Sequence, residues 1–341
     1  MEIKIDLFSD TGTRPSDEMR KFMAEAEVGD EQLFEDPSVN KLTEMAADIL
    51  GKNEAIYLPS GLMANQISFA VHCNPGDEII MDESAHPIHY EGGATAVISG
   101  ASIRSVEGER GIFNLEQFEK AVRTKDFHDP QSKLLSIEQT SNLGGGTIWP
   151  LEQIEKLTEK AHELGLKTHM DGARLFNAVA ATEISAQRYA ANFDSVWFDL
   201  SKGLGAPVGS VLAGSKKFIN EARYWKQRLG GAMRQAGIIA AGGIYALENN
   251  LERLKTDNEN ARLLAEELAE IPAVEIDPSN VETNIVIFKI EGVESTDFAE
   301  KLLEDGLRVS VLHDKIRAVT HLDVNREEIL QAIDIFKKHL I

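Results

Sequence analysis

In the stretch FDLSKGLGAPVGS (198–210) an apolar run, Ser195 to Leu200, ends beside a single lysine, Lys202, and glycine follows at once. A lysine that must react as a free amine wants this setting, because burial disfavours the charged form and lowers its pKa. A surface lysine at a turn is the commoner case. In HMDGARLFNA (169–178), Asp171 closes another apolar run and Arg174 lies three residues on. A carboxylate there can pair with a protonated ring nitrogen, and the guanidinium can grip a carboxylate through two parallel hydrogen bonds. An aspartate capping a helix beside a surface arginine is the plainer reading. YLPSGLMANQ (57–66) reads as a strand, then Ser60-Gly61, then a helix whose first N–H groups suit a phosphate. In DESAHPIHYEGGA (82–94), His86 and His89 stand three apart near Glu91. The proline between them and the lack of a further strong ligand argue against a metal. Stacking on a planar cofactor and a hydrogen-bonded core histidine are the two uses left for His86.

Each of these signals is weak alone. Together they supply an amine for a Schiff base, an aspartate for a ring nitrogen, a phosphate cup, a stacking histidine and a carboxylate-gripping arginine. That set describes a site for pyridoxal 5′-phosphate.

The elements that must position the set alternate along the chain. Short apolar runs at 55–59, 77–82, 94–99, 133–140, 166–171, 195–200 and 209–215 read as buried strands. Helical patterns lie between them at 37–51, 114–124 and 150–165, the last with proline at its first turn and glycine at its end. Such alternation predicts a mostly parallel sheet covered on both faces. Ligands of such sheets sit beyond the carboxyl ends of the strands, where Ser60-Gly61, His86, Asp171–Arg174 and Lys202 all fall. A long helical stretch, about 217–270, leads into strand and helix segments that suggest a small α+β unit. The expected division is a large domain with an N-terminal arm over 1–254 and a small domain over 255–341.

The chain has 341 residues, 43% of them hydrophobic, which is ample for one large core and a smaller one. Its formal net charge of −21 argues against a nucleic-acid partner. Any anion must be held by local devices such as helix N-termini and individual arginines. The sequence holds no 20-residue apolar run, and MEIKIDLFSD lacks the basic-then-apolar pattern of a signal peptide. The single cysteine, Cys73, suits a reducing compartment, and the expected location is the cytoplasm.

The blocks SDTGTRPS (9–16), EDPSVN (35–40), LPSGLMANQ (58–66), AHPIHYEGGA (85–94), MDGARLFNA (170–178), LSKGLGAPVGS (200–210), GGAMRQAG (230–237) and IRAVTHLDV (316–324) occur in order along nearly the whole chain. In these blocks the sequence resembles the low-specificity L-threonine aldolases and the related aromatic amino acid β-eliminating lyases. The resemblance implies the pyridoxal-phosphate-dependent transferase-like architecture (fold type I), an α/β fold with a mostly parallel seven-stranded sheet and a small C-terminal α+β domain. It implies that Lys202 forms the Schiff base with the cofactor, that Asp171 pairs with the pyridine nitrogen, and that Ala173 and His86 pack on opposite ring faces. Ser60 and Gly61, with Leu62 beside them, would form the phosphate cup. Arg234 lies in a block placed near the subunit interface and the cofactor. Ser9, Arg174 and Arg317 would bind the substrate carboxylate, and Ser141 would lie on the substrate side. A homodimer or homotetramer with active sites between subunits is implied too.

Several positions depart from the family pattern. Leu62 stands where the cup usually offers threonine, Ser141 where many aldolases carry histidine, Leu33-Phe34 where Tyr-Gly is usual, and His89 where an apolar residue is common. The expected reaction is retro-aldol cleavage of L-threonine, L-allo-threonine or a related β-hydroxy-α-amino acid to glycine and an aldehyde. His86 is the candidate for proton transfer at the β-hydroxyl, with stacking as its alternative role. The nearest rival is β-elimination to ammonia and a keto acid, with Lys202 as the base at Cα. An aminotransferase and a non-catalytic cofactor-binding relic are further rivals.

Overall fold

A computed structural model describes residues 2–124 and 126–340. A two-residue strand, β1 (Ile5–Asp6), opens the chain. Seven strands then build the central sheet: β2 (Glu54–Leu58), β3 (Glu78–Asp82), β4 (Ser102–Val106), β5 (Ser132–Glu138), β6 (Lys167–Gly172), β7 (Ser195–Asp199) and β8 (Ser210–Gly214). Their order across the sheet is β2-β8-β7-β6-β5-β3-β4. All neighbours are parallel except β8, which runs antiparallel to both β2 and β7. The six co-directional strands therefore end at one edge, and the polar residues that follow them converge there.

The helices that cover the sheet form where periodicity and caps coincide. Pro37–Leu50 starts behind the Asp36 side chain, which accepts from the Val39 N–H, and stops at Gly51 with φ +62°. Gly61–His72 is capped by Ser60, whose hydroxyl accepts from the Met63 N–H. Leu151–Glu163 buries Ile154, Leu157, Thr158 and Ala161 on one face. The stretch 217–270 resolves into three helices, Lys216–Arg228, Gly237–Asn249 and Leu254–Ala269. The first break falls at Gly230, whose φ of +73° ends helical geometry.

One expected strand is wrong. Residues 94–99 were expected as a strand, but Ala94–Ile98 is a short helix entered from Gly93 at φ +73°. The strand is β4 instead, at the sheet's edge, with only Val106 fully buried. Four of its five side chains are exposed or half-buried, so no apolar run marks it, unlike β2 at the other edge, which is largely buried.

The C-terminal part forms a four-stranded antiparallel sheet, ordered β12-β13-β10-β9, from β9 (Val274–Glu275), β10 (Ile285–Ile290), β12 (Ser310–Leu312) and β13 (Lys315–Val319). A further strand, β11 (Leu307–Arg308), pairs in parallel with β1. Ile5 and Leu7 therefore join the buried cluster made by Leu264, Leu268, Phe288, Phe298 and Phe336. The separate large cluster around Leu42, Leu135, Met170 and Phe198 underlies the central sheet.

Candidate active site

Four strand ends deliver acidic groups to the shared edge: Asp82, Glu138, Asp171 and Asp199. Beyond them opens a cavity of about 490 Å3 lined by residues that include His86, Asp171, Ala173, Lys202 and Arg317. Lys202 follows β7 in a turn closed by a hydrogen bond from the Gly205 N–H to the Lys202 carbonyl, 2.8 Å. Its Nζ lies 3.3 Å from Asp199 Oδ2 and 5.8 Å from the centre of the Trp197 ring.

Asp171 is buried at the end of β6. Its Oδ1 accepts from the Ala173 N–H at 3.0 Å and its Oδ2 from Asn65 Nδ2 at 2.8 Å. Burial raises its pKa, against the lowering pull of His86, Asn65 and Lys202. Asn65 Nδ2 also donates to Glu91 Oε1 at 2.8 Å, and Glu91 Oε1 lies 2.9 Å from His86 Nδ1. Burial alone would lower the His86 pKa, but the Glu91 hydrogen bond and the charges of Asp171 and Glu138 override it and raise it. One amide thus ties Asp171, the carboxylate expected to face a ring nitrogen, to Glu91, which bonds His86.

The orientation of that amide is fixed from behind. Trp197 Nε1, a donor only, reaches Asn65 Oδ1 at 2.7 Å, so the oxygen must face the indole. His169 Nε2 lies 3.1 Å from the same oxygen and therefore carries a proton. Its Nδ1 then accepts from the Ser195 hydroxyl at 2.8 Å, and that hydroxyl accepts from His72 Nε2, also at 2.8 Å. Burial holds both rings neutral, lowering His169 well below its usual range and His72 to about 4. His72 opens on a second cavity of about 700 Å3.

On the other wall, Arg174 and Arg317 approach Asn142. The two-pronged grip expected of Arg174 is taken up by a protein carboxylate. Its Nε donates to Asp10 Oδ2 at 2.7 Å and its Nη2 to Asp10 Oδ1 at 2.6 Å. Only Nη1 remains, 3.4 Å from Asn142 Oδ1. Arg317 Nη2 donates to that oxygen at 2.8 Å and Nη1 to the Phe8 carbonyl at 3.3 Å, while its buried Nε has no partner among the described residues. Burial and the neighbouring Arg174 lower Arg317 to about 10, so it stays cationic near neutral pH. Ser9 lines the cavity and caps the short helical turn Asp10–Gly12.

The cavity thus brings together Lys202, Asp171, His86, Ala173, Gly61, Leu62, Ser9, Arg174 and Arg317. Ser60 stands beside it as the cap of Gly61–His72. Two expected residues lie elsewhere. Ser141 is buried in a turn, accepting from the Gly144 N–H at 3.2 Å, and a Cβ on Gly111 would fall 2.0 Å from its hydroxyl. The Arg234 side chain is 61% exposed and pairs with Asp30 at 2.8 Å. Sequence reasoning missed Asn65, Glu138, Asn142 and Asp199. Glu138 and Asp199 end parallel strands as Asp171 does, and that shared position is the signal that could have found them.

The family model described as "Beta-eliminating lyase" matches residues 6–291. The low specificity L-threonine aldolase of Escherichia coli (strain K12) is 38% identical over 328 residues, covering 96% of each chain. Low-specificity L-threonine aldolase 1 of Arabidopsis thaliana is 38% identical over 346 residues, covering 99% of this chain and 96% of its own. An alanine racemase of Cochliobolus carbonum is 31% identical over 346 residues, covering 98% of this chain and 87% of its own. The solved structure of a Leishmania major threonine aldolase superposes with a TM-score of 0.84 at 18% identity, over 99% of this chain and all of that one, which shows the fold. The chain belongs to the beta-eliminating lyase family.

Proposed function

We propose that this chain is a pyridoxal-phosphate-dependent aldolase that cleaves L-threonine, L-allo-threonine or a related β-hydroxy-α-amino acid to glycine and an aldehyde. The observation that carries the reading is the convergence of Lys202, Asp171, His86 and the half-satisfied Arg317 on one cavity, in a chain with aldolase relatives along its whole length.

The donor set fits the cofactor. Asp171 is a buried carboxylate whose two oxygens are oriented by Asn65 and the Ala173 N–H. Gly61 brings the start of Gly61–His72 against the indole of Trp197, where any Cβ would fall 2.2 Å from the ring. Lys202 would hold the cofactor through its amine, and Ser60, Gly61 and the N–H groups near Leu62 would hold the phosphate. Leu62 adds no hydroxyl to that cup. Ala173 and His86 would pack on the two ring faces. Bound there, pyridoxal phosphate supplies an electron sink for the bonds at the substrate Cα.

The chain's own residues do the rest. Arg317, with Ser9 and Arg174 Nη1, which Asn142 holds only at 3.4 Å, binds the substrate carboxylate and so fixes the orientation about Cα. Asp171 keeps a proton at the ring nitrogen. His86, oriented by Glu91, takes the β-hydroxyl proton directly or through a water as the Cα–Cβ bond breaks. Its Nε2 has no protein partner among the described residues. The balance removes one proton from that hydroxyl and delivers one to Cα.

The same reading divides the chain at 254/255. It makes the protein a homodimer or homotetramer with active sites between subunits, supported by exposed Leu33, Phe34 and Val97 and by exposed Arg234. No helix among the described residues is long and apolar enough to cross a membrane. The lone, buried Cys73 supports placement in the cytoplasm.

A product assay tests the function. Purified protein with pyridoxal phosphate receives L-threonine, L-allo-threonine, phenylserine, tyrosine and L-alanine in turn. Glycine with aldehyde is expected from the β-hydroxy amino acids, and Lys202→Ala should abolish it. Ammonia with keto acid from tyrosine, or racemised alanine without aldehyde, would replace the aldolase reading.

A further inference from the structure

Glu138 is a buried carboxylate of the site that the mechanism above leaves without a task. It ends β5 in register with Asp171 on β6. Its Oε1 accepts from the Asn142 N–H at 3.0 Å and its Oε2 from the His86 N–H at 2.9 Å. Asn142 in turn receives Arg317 Nη2 at 2.8 Å and Arg174 Nη1 at 3.4 Å on its side-chain oxygen. A single carboxylate therefore anchors both walls of the cavity, the wall bearing His86 and the wall bearing the arginines.

We propose that Glu138 is a positioning residue for the substrate carboxylate: it fixes Asn142, which aims the guanidinium of Arg317 into the cavity. The inference rests on the aldolase reading. Both oxygens of Glu138 face N–H donors, so the ionised form satisfies both, whereas a protonated carboxyl turns a poor acceptor toward one of them. The charged groups facing Glu138 are Asp171 on β6, His86 at the start of its short helix and Arg174 after β6. Burial and the Asp171 charge push Glu138 up to about 7, against the two N–H groups and His86. The anchor therefore forms as pH rises through neutrality and loosens below it.

The test uses the cofactor-loaded protein, with glycine as probe and methylamine, which lacks the carboxylate, as control. Dissociation constants are measured by calorimetry from pH 6 to 9. Wild-type glycine affinity should rise through a step near pH 7. Glu138→Gln should weaken glycine about tenfold or more at pH 8 and lose the step, because its amide presents N–H₂ to one backbone donor. Methylamine should bind the two proteins alike. Asn142→Ala, a second route to the same link, should weaken glycine and flatten the step with Glu138 intact. Unchanged glycine affinity in both variants, equal losses for glycine and methylamine, or a step that survives Glu138→Gln would overturn the proposal. A wild-type protein that binds neither pyridoxal phosphate nor glycine would instead remove the aldolase reading, and this inference with it.

Discussion

At the scale of single residues, the proposed proton transfer at His86 carries a pH dependence. In that role His86 must be neutral to accept the β-hydroxyl proton, and its pKa is raised because Glu91, Asp171 and Glu138 outweigh burial. Cleavage should therefore rise with pH along a limb whose midpoint lies above the ordinary histidine value of about 6.5. Glu91→Gln removes the nearest of those charges, 2.9 Å from Nδ1, and should move the limb to lower pH while lowering the maximum rate. kcat profiles of the two proteins at saturating substrate check this; a limb that stays in place would assign the proton transfer elsewhere. Much of this level was legible in the chain. Lys202 and His86 follow apolar strands and Asp171 ends one, and polar groups at strand ends are marked by that switch in texture. Arg174 was legible as a guanidinium but not as one already engaged. Asp10 sits 164 positions away in sequence, and no local pattern announces a partner at that distance. Ser141 lies off the cavity wall for a similar reason, since a turn folding onto Gly111 engages its hydroxyl.

At the scale of elements, the central sheet could be read wherever its strands were buried on both faces. The edge strand β4 could not, and the alternating apolar residues of 94–99 took its place. The buried chain from His72 through Ser195, His169 and Asn65 to Asp171 also escaped notice, because it joins the helix Gly61–His72 to β6 and β7 across their packing interface. Its consequence is measurable. The folded pKa of His72 lies near 4 and the unfolded one near 6.5, so between those values the unfolded chain binds more protons. The stabilisation is complete above about pH 6.5 and is lost as pH falls toward 4, at about 1.4 kcal/mol per pH unit for each such histidine. His72→Phe keeps the stacking on Phe218, whose ring centre lies 4.8 Å away, and removes the titration. Denaturant unfolding at pH 7, 6 and 5 should show a shallower acid loss for His72→Phe than for the wild type. Equal slopes would mean that the ring is free to protonate in the folded state.

At the scale of the whole molecule, the site is built from parts held by both cores. Asp10 comes from the N-terminal arm, Arg174 from the turn after β6 and Arg317 from β13. Asn284, just before β10, donates to Asp10 Oδ2 at 3.1 Å and closes the junction. The arm itself is pinned by Ile5 and Leu7 in the smaller core. The cavity still opens past Phe8, Leu62 and Tyr90, which are 44%, 38% and 50% exposed. Leu33 and Phe34, at 63% and 57%, and Val97, at 84%, add apolar surface on a chain whose net charge is −21. Such surface is costly to leave in water, so a second copy is the cover proposed here, its apolar contact having to outweigh the like charge of the two chains. Leu33→Asp combined with Val97→Asp places a charge on each of two exposed apolar sites without touching a buried residue. If the proposed partner completes the cavity mouth, sedimentation should find the wild type as a dimer or tetramer and the double variant shifted toward monomer, with cleavage falling in parallel. A wild type that sediments as a monomer at full activity would make the cavity self-sufficient and leave those residues without a partner. A double variant that stays oligomeric would move the interface to another face.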